Sequence, residues 1–244
     1  ARRLEGRPER PQNFFAVARQ LESWNLLPQA KQFAEKGMSL AGNDLFAEPE
    51  YSSGAQIYAR VMARLREHEA AYARLHTAWQ AAAAKAPPAE EGEESGESQA
   101  ALRVLSSYRG GLEELGSTAA RYFTPEEKAS FSAFLEKQRA TATLDELSQA
   151  LLPLVQHAGF ADLEARWRLE VMLARPTHSS NYSHMSRLVD LQKRRLKFNE
   201  LGAQLQQYAA VVPNEQRSGI LFQAAQSYRS AGNTASELAI LSRL

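Results

Sequence analysis

The sequence predicts an all-α protein whose helices come in pairs. The residues that lose least on entering a helix, namely Ala, Leu, Gln, Glu and Arg, dominate the chain, whereas isoleucine occurs only at Ile57, Ile220 and Ile240. No run alternates polar and apolar residues with a period of two, so a sheet is not expected. Apolar residues recur instead at helical spacing in short segments that follow one another closely.

Residues 1–11 carry several charges and two prolines and are predicted to form an irregular lead-in, and a helical array is predicted over residues 12–244. Within the array, residues 45–142 are predicted to be an irregular helical section. The helices are expected at about 12–25, 28–41, 53–86, 99–122, from Thr124 onward, 143–158, 161–175, 183–197, 199–211, 214–231 and 233–244.

Two helix starts are marked by capping boxes. Thr124 is followed by Pro125, which suits a first helical turn, and by Glu127, which can bond back to the capping residue. Thr143 with Glu146 repeats the pattern. These two signals predict helix starts at Thr124 and Thr143.

An acidic low-complexity segment covers residues 87–99. It holds five glutamates and no large apolar residue, so it buries too little to offset the entropy of ordering. The segment is predicted to be a disordered loop, with an acidic attachment point for a basic partner as the alternative.

Residues suited to tight helix–helix turns recur with similar neighbours. Gly232 follows Tyr228 by four residues and the pair Ala224-Ala225 by eight and seven, and Gly159 follows Val155 in the same way. The other two turn residues on this pattern are Asn25 and Leu196. Small residues let paired helices approach closely, and the turn residue must accept a sharp bend.

This pattern resembles that of tetratricopeptide repeats, whose signature places a small pair and an aromatic residue on the first helix, glycine at the turn, alanine on the second helix and proline after it. The matching units cover about 12–41 and 145–244. Glu164 and Glu237 replace the expected alanine, which could shift those helices by one residue, and Leu196 replaces the turn glycine. Other helical solenoids and a compact helical domain are the alternatives.

The resemblance implies an α-solenoid, a right-handed superhelix of stacked antiparallel helix pairs with a concave partner-binding face. On the family's pattern, that face carries residues two, three, six and ten positions before each turn residue. The candidate partner-binding residues are Phe15, Arg19, Glu22, Gln149, Gln156, His157, Ser186, Asp190, Lys193, Arg194, Phe222, Gln226 and Arg229. Lys193, Arg194 and Arg229 are expected to line one groove and to favour a carboxylate on the partner.

Charge and cysteine content exclude several functions. The formal charge of +1 argues against a dedicated nucleic-acid binder, and the absence of cysteine excludes disulfides, thiolate metal sites and a cysteine nucleophile. No apolar stretch approaches the roughly 20 residues that membrane insertion requires. The chain begins with alanine and no signal core, so we expect a processed protein or a fragment, of unassigned compartment, either cytoplasmic or bacterial periplasmic.

Catalytic and metal-binding patterns are weak. His178 and His184 have no third ligand at a useful spacing and are interpreted as exposed loop histidines, and neither Ser179 nor Ser180 lies in a nucleophile elbow. The basic run 192–198 is interpreted as a solvated helix face anchored by Leu191, Leu196 and Phe198, and no phosphate-binding loop is present. The tryptophans, each set among apolar residues at helical spacing, are predicted to pack in the core; they are Trp24, Trp79 and Trp167.

The sequence therefore predicts a protein–protein interaction scaffold that binds a peptide or partner helix, without catalysis and without a cofactor. Its oligomeric state is left open. The principal alternative is an architectural spacer within a longer secreted or cell-envelope repeat protein. A further alternative is an enzyme site within residues 45–142.

Overall fold

The computed structural model describes residues 10–41, 53–85 and 96–244. These residues form helices and no strand, which confirms the all-α prediction. The chain divides into two compact units, Ala1–Gly159 and Phe160–Leu244.

The first unit contains eight α-helices in its described residues. They are α1 (Pro11–Ser23), α2 (Leu27–Ala41), α3 (Gly54–Arg64), α4 (His68–Ala83), α5 (Gly96–Tyr122), α6 (Pro125–Arg139), α7 (Leu144–Glu146) and α8 (Leu152–Ala158). A five-residue π-helix, Leu147–Leu151, joins α7 to α8. Pro153 accounts for this element, because it has no N–H to bond the carbonyl four residues earlier, and π-helical hydrogen bonds reach one residue further.

The second unit contains five helices, α9 (Ala161–Ala174), α10 (Asn181–Arg194), α11 (Phe198–Ala209), α12 (Asn214–Ser230) and α13 (Thr234–Leu241). Each packs against the next along the chain. The core between them includes Leu188, Leu201, Ala224 and Ala225. Gly202 gives Tyr228 room to pack, since a Cβ there would lie 2.9 Å from the tyrosine ring.

Left-handed residues mark the helix ends. In the described chain they are Asn25 (φ 60°), Arg66 (67°), Gly159 (72°), Leu196 (56°) and Gly232 (72°). The four turn residues chosen from the sequence are all among them. Leu196 shows the shared hydrogen-bond pattern, because its own N–H donates to the carbonyl of Lys193 and the next N–H donates to the carbonyl of Gln192.

The fifth left-handed residue, Arg66, shows that the prediction of one long helix over residues 53–86 is wrong. Residues 53–86 do not form a single helix, because α3 ends at Arg64, the left-handed Arg66 follows it, and α4 begins at His68. The amide of Glu67 donates to the carbonyl of Met62 at 2.9 Å, as in the other turns. Residues 54–83, within the section expected to be irregular, therefore contain a helix pair of the same local design.

The position five residues after each turn residue is buried throughout. It is occupied by Ala30, Ala71, Glu164, Leu201 and Glu237. The two glutamates thus keep the register of the smaller residues, and the one-residue shift expected for their helices is not seen. Arginine partners make this burial tolerable, since Arg168 and Arg187 donate to Glu164, and Arg229 donates to Glu237.

Both capping boxes form. Thr124 accepts from the amide of Glu127 and Thr143 accepts from the amide of Glu146, and each glutamate bonds back to the threonine amide. The structure begins α5 at Gly96, so residues 96–99 of the predicted acidic loop are helical, and residues 87–95 lie outside the described residues.

The tryptophan prediction is right for two of the three residues. Trp79 and Trp167 are buried, whereas Trp24 is 63% exposed because it stands at the end of α1, where the chain turns away from the helix.

Helices α5 and α8 approach each other closely at Gly116. A Cβ at this position would collide with the carbonyl oxygen of Leu154 and would lie 3.0 Å from the amide nitrogen of Ala158. Both neighbours are backbone atoms, which cannot rotate away as a side chain can. Only glycine therefore permits this contact between the two helices.

Candidate functional site

A groove of about 390 Å³ lies between α10 and α12, with side chains of α11 at its base. The α10 wall presents one helix face, since its residues occupy positions i, i+3, i+4, i+7 and i+11; they are Tyr182, Met185, Ser186, Val189 and Lys193. The base is formed by Phe198 and Leu205. The α12 wall consists of Gln223, Gln226, Ser227 and Ser230.

A second hollow, of about 430 Å³, continues the groove toward the start of α10. The two hollows share Tyr182, Met185 and Gln223, so they form one trough along the two helices. Residues 176–179, which precede α10, close the far end of the trough together with Tyr208. Tyr208 is fixed there because its hydroxyl donates to the carbonyl of Pro176 at 3.1 Å.

Among the described residues, Lys193 is the only charged side chain that lines the first hollow, the one of about 390 Å³. Its ammonium group forms no ion pair with any described residue. The neighbouring amides of Gln223 and Gln226 likewise have no side-chain hydrogen bond within the described chain. The hydroxyls of Ser227 and Ser230 donate to carbonyls of α12, which leaves their oxygens able to accept.

The structure brings together three of the residues selected from the sequence. Ser186, Lys193 and Gln226 line the same hollow. Two further candidates, Asp190 and Arg194, pair with each other at 2.9 Å and do not line it.

The prediction that three cations line one groove is wrong for Arg229 as well as for Arg194. The guanidinium of Arg229 donates to the carboxylate of Glu237 at 2.6 Å, toward α13, and it is not a lining residue. The sequence offset placed it correctly on α12, but the buried glutamate determines which way the side chain points. Phe222 is 51% exposed and also lies outside the groove lining.

The candidates in the first unit do not form a comparable site. Phe15 is 3% exposed, because Gly37 and Gly54 leave space into which its ring packs, so it cannot contact a partner. Glu22 is also buried, and the guanidinium groups of Arg60 and Arg64 bond its carboxylate at 2.8 and 3.3 Å.

The remaining candidates of that unit are exposed. Arg19 donates to the hydroxyl of Ser53 at 3.2 Å, and His157 Nδ1 lies 3.2 Å from the hydroxyl of Ser117. Gln149 and Gln156 are exposed. None of these side chains lines the hollow of about 690 Å³ in this unit, whose walls include four alanines, Met38, Arg74 and Tyr108.

The two histidines of the 178–184 segment differ from one another. His178 is exposed as predicted, and its Nδ1 lies 2.7 Å from the hydroxyl of Ser180. His184 is buried, contrary to the prediction, with its Nδ1 3.2 Å from Arg168. Burial and the charge of Arg168 lower the pKa of His184, so its imidazole is neutral near pH 7. Within the described residues, no group of three His, Asp or Glu side chains is arranged to hold a metal ion.

The basic run 192–198 is largely neutralised. Arg195 and Lys197 both donate to Asp162, at 2.7 and 2.9 Å, and these bonds lower the pKa of its carboxyl to about 2. One predicted anchor is wrong, because Leu196 is 76% exposed at its left-handed turn. Of the run's cations, Lys193 is the one that faces the groove.

Sequence reasoning missed the aromatic and aliphatic part of the groove wall. Tyr182, Met185 and Val189 precede Lys193 at helical spacing and share its face. This apolar stripe was the sequence signal for the groove wall, but such a stripe usually indicates a helix face that packs in the core.

Comparison of the chain with protein-family models, with curated proteins and with solved structures gives no match. Among the described helices, none combines the length and the apolar character needed to cross a membrane.

Proposed function

We propose that this chain is a helical-repeat scaffold of the tetratricopeptide type that binds a peptide segment of another protein in the α10–α12 groove. The observation that carries the proposal is the lining of that groove. It combines an apolar wall with two amides and one ammonium group whose side chains have no partner among the described residues. Such a surface offers both contact area and directional polar groups to a chain laid along it.

The repeated turn geometry supports the repeat assignment. Five turns place a left-handed residue just past a helix end, and the fifth residue after each is buried. A repeat of this kind leaves one face of each first helix without a packing partner. In the second unit, that face on α10 and α12 coincides with the groove.

The chemistry of the groove favours binding over catalysis. Its first hollow is lined by hydroxyls, amides, apolar side chains and Lys193, a set that lacks an acid–base pair. A short peptide fills a small interface, so we expect a dissociation constant in roughly the micromolar range.

The test is a selection of peptides from a random display library on the full chain. The groove is blocked by Ser186→Trp, which places a bulky ring among the lining residues. The matched control is Gln207→Trp, because Gln207 is exposed on α11 and lines neither hollow. Selected peptides should bind the original chain and the control, and should lose at least tenfold in affinity for the blocked variant.

The same experiment distinguishes a binding scaffold from an architectural spacer. If every selected peptide binds the original chain and Ser186→Trp with equal affinity, the groove is not a binding site and the spacer hypothesis is favoured. Both variants must keep the helical circular dichroism spectrum of the original chain. A loss of binding is then due to the blocked groove and not to unfolding.

A further inference from the structure

If the groove binds a peptide, as the proposed function holds, its lining determines which peptide it selects. The apolar side chains and the cation of α10 lie in a row. Met185, Val189 and Lys193 follow one another at intervals of four residues. At a rise of 1.5 Å per residue, neighbours in this row are about 6 Å apart along the helix axis.

The opposite wall is suited to a peptide backbone. Gln223 and Gln226 carry both donors and acceptors, and the serine oxygens of the same wall can accept. An extended peptide has unpaired backbone N–H and C=O groups that need such partners, whereas a helix satisfies its own. The amide wall therefore favours an extended occupant.

We propose that the groove selects an extended segment in which a large apolar side chain and an acidic side chain are separated by one residue. Alternate side chains of an extended chain lie on the same side, about 6.6–6.8 Å apart. That repeat matches the axial distance of about 6 Å between Val189 and Lys193. The acidic side chain pairs with Lys193, and the apolar side chain packs on Val189 and Phe198.

The length of the wall extends the rule by one position. From Tyr182 to Lys193 the α10 face covers 11 residue steps, about 16 Å, which equals about five residues of extended chain. A second apolar side chain, two residues further from the acid, then lies against Tyr182 and Met185. Tyr182 is 77% exposed, so its ring is accessible to such a side chain.

The test uses the full chain and synthetic peptides with both ends blocked, so that the only carboxylate is that of the side chain. The parent core is Leu-Thr-Leu-Thr-Glu, and its reverse, Glu-Thr-Leu-Thr-Leu, covers the opposite chain direction. Three comparison peptides carry Gln in place of Glu, Glu moved next to the nearest Leu, or Gln with a free C-terminal carboxylate. Affinities are measured by isothermal titration calorimetry at low and high salt.

We expect the better of the two parent peptides to bind about threefold to tenfold more tightly than the Gln peptide, with the difference shrinking at high salt. Moving the Glu should remove the same advantage. Lys193→Ala should abolish the Glu–Gln difference, and Lys193→Glu should favour a peptide with Lys in place of Glu. The matched control Arg194→Ala should leave the difference intact, since Arg194 pairs with Asp190 outside the groove lining.

Several results would overturn the inference. They are equal binding of Glu and Gln peptides, a Glu–Gln difference that persists in Lys193→Ala, tighter binding of the moved Glu, and tightest binding of the free C-terminal carboxylate. The library selection on the original chain and Ser186→Trp tests groove binding itself, independently of the spacing rule. Peptides that need the open groove but lack this spacing would refute the spacing rule alone.

Discussion

Leu196 holds a backbone conformation that suits glycine, and this permits a direct test of the turn design. A left-handed conformation costs an L-residue about 1–2 kcal/mol. The side chain is 76% exposed, so its removal sacrifices little packing. Leu196→Gly should remove the strain but add about 0.4–1 kcal/mol of unfolded-state entropy. The expected net effect is a stabilisation of about 0.5–1 kcal/mol.

The opposite substitution isolates the same term. Gly232 has φ 72°, and a Cβ there would have no atom within 4 Å, so Gly232→Leu introduces backbone strain without a collision. A loss of about 0.5–1.5 kcal/mol is expected. Leu196→Ala is the control, because it shortens the side chain but keeps the Cβ that causes the strain.

Hydrogen exchange followed by mass spectrometry is the appropriate assay, since it reports the opening free energy of α10–α13 within the full chain. Leu196→Gly should slow exchange in these helices, Gly232→Leu should accelerate it, and Leu196→Ala should lie near the original chain. Faster exchange in Leu196→Gly would refute the reasoning, because it would show that the leucine side chain itself holds the turn.

Three further predictions address packing, buried charge and pH. Gly116→Ala should lower the free energy of unfolding by about 1–2 kcal/mol, because the added Cβ collides with backbone atoms of α8. Gly219→Ala, in open space within α12, should raise the free energy of unfolding by about 0.5–1 kcal/mol. Denaturant titration measures both changes. Arg229→Ala should cost about 1–3 kcal/mol by leaving Glu237 buried without its partner, and adding Glu237→Gln should recover much of this loss in a double-mutant cycle. Burial lowers the pKa of His68 below its unfolded value of about 6.5, so the folded state binds fewer protons and stability should fall as pH decreases from about 6.5; melting curves of His68→Phe should show a weaker decline.

Local sequence signals predicted most of the helices and four of the five left-handed turns of the described chain, but not the division of residues 53–86 into two helices. Gly159 and Gly232 were recognisable because the left-handed conformation favours glycine, and Asn25 tolerates it nearly as well. Arg66 was missed, since arginine seldom adopts this conformation. Ala59 and Ala71 stand at the offsets occupied by small residues around other turns and could have revealed it.

The direction of side chains was less predictable than their helix positions. Lys193 and Arg229 occupy equivalent offsets before their turns, yet one faces the groove and the other bonds Glu237. The difference depends on a glutamate that the sequence indicated only as an exception to a small-residue position. Likewise, Phe15 is buried because Gly37 and Gly54, which are distant in sequence, leave room for its ring.

Photo-cross-linking tests the central claim most directly. A peptide selected on the full chain would carry a photoreactive leucine analogue at its apolar position, and mass spectrometry would locate the adduct. The chain has four methionines, of which Met185 lines the groove while Met38, Met62 and Met172 are buried. We predict adducts on Met185, Val189 or Phe198 that disappear in Ser186→Trp; adducts confined to residues outside the groove, or unchanged in that variant, would contradict the account.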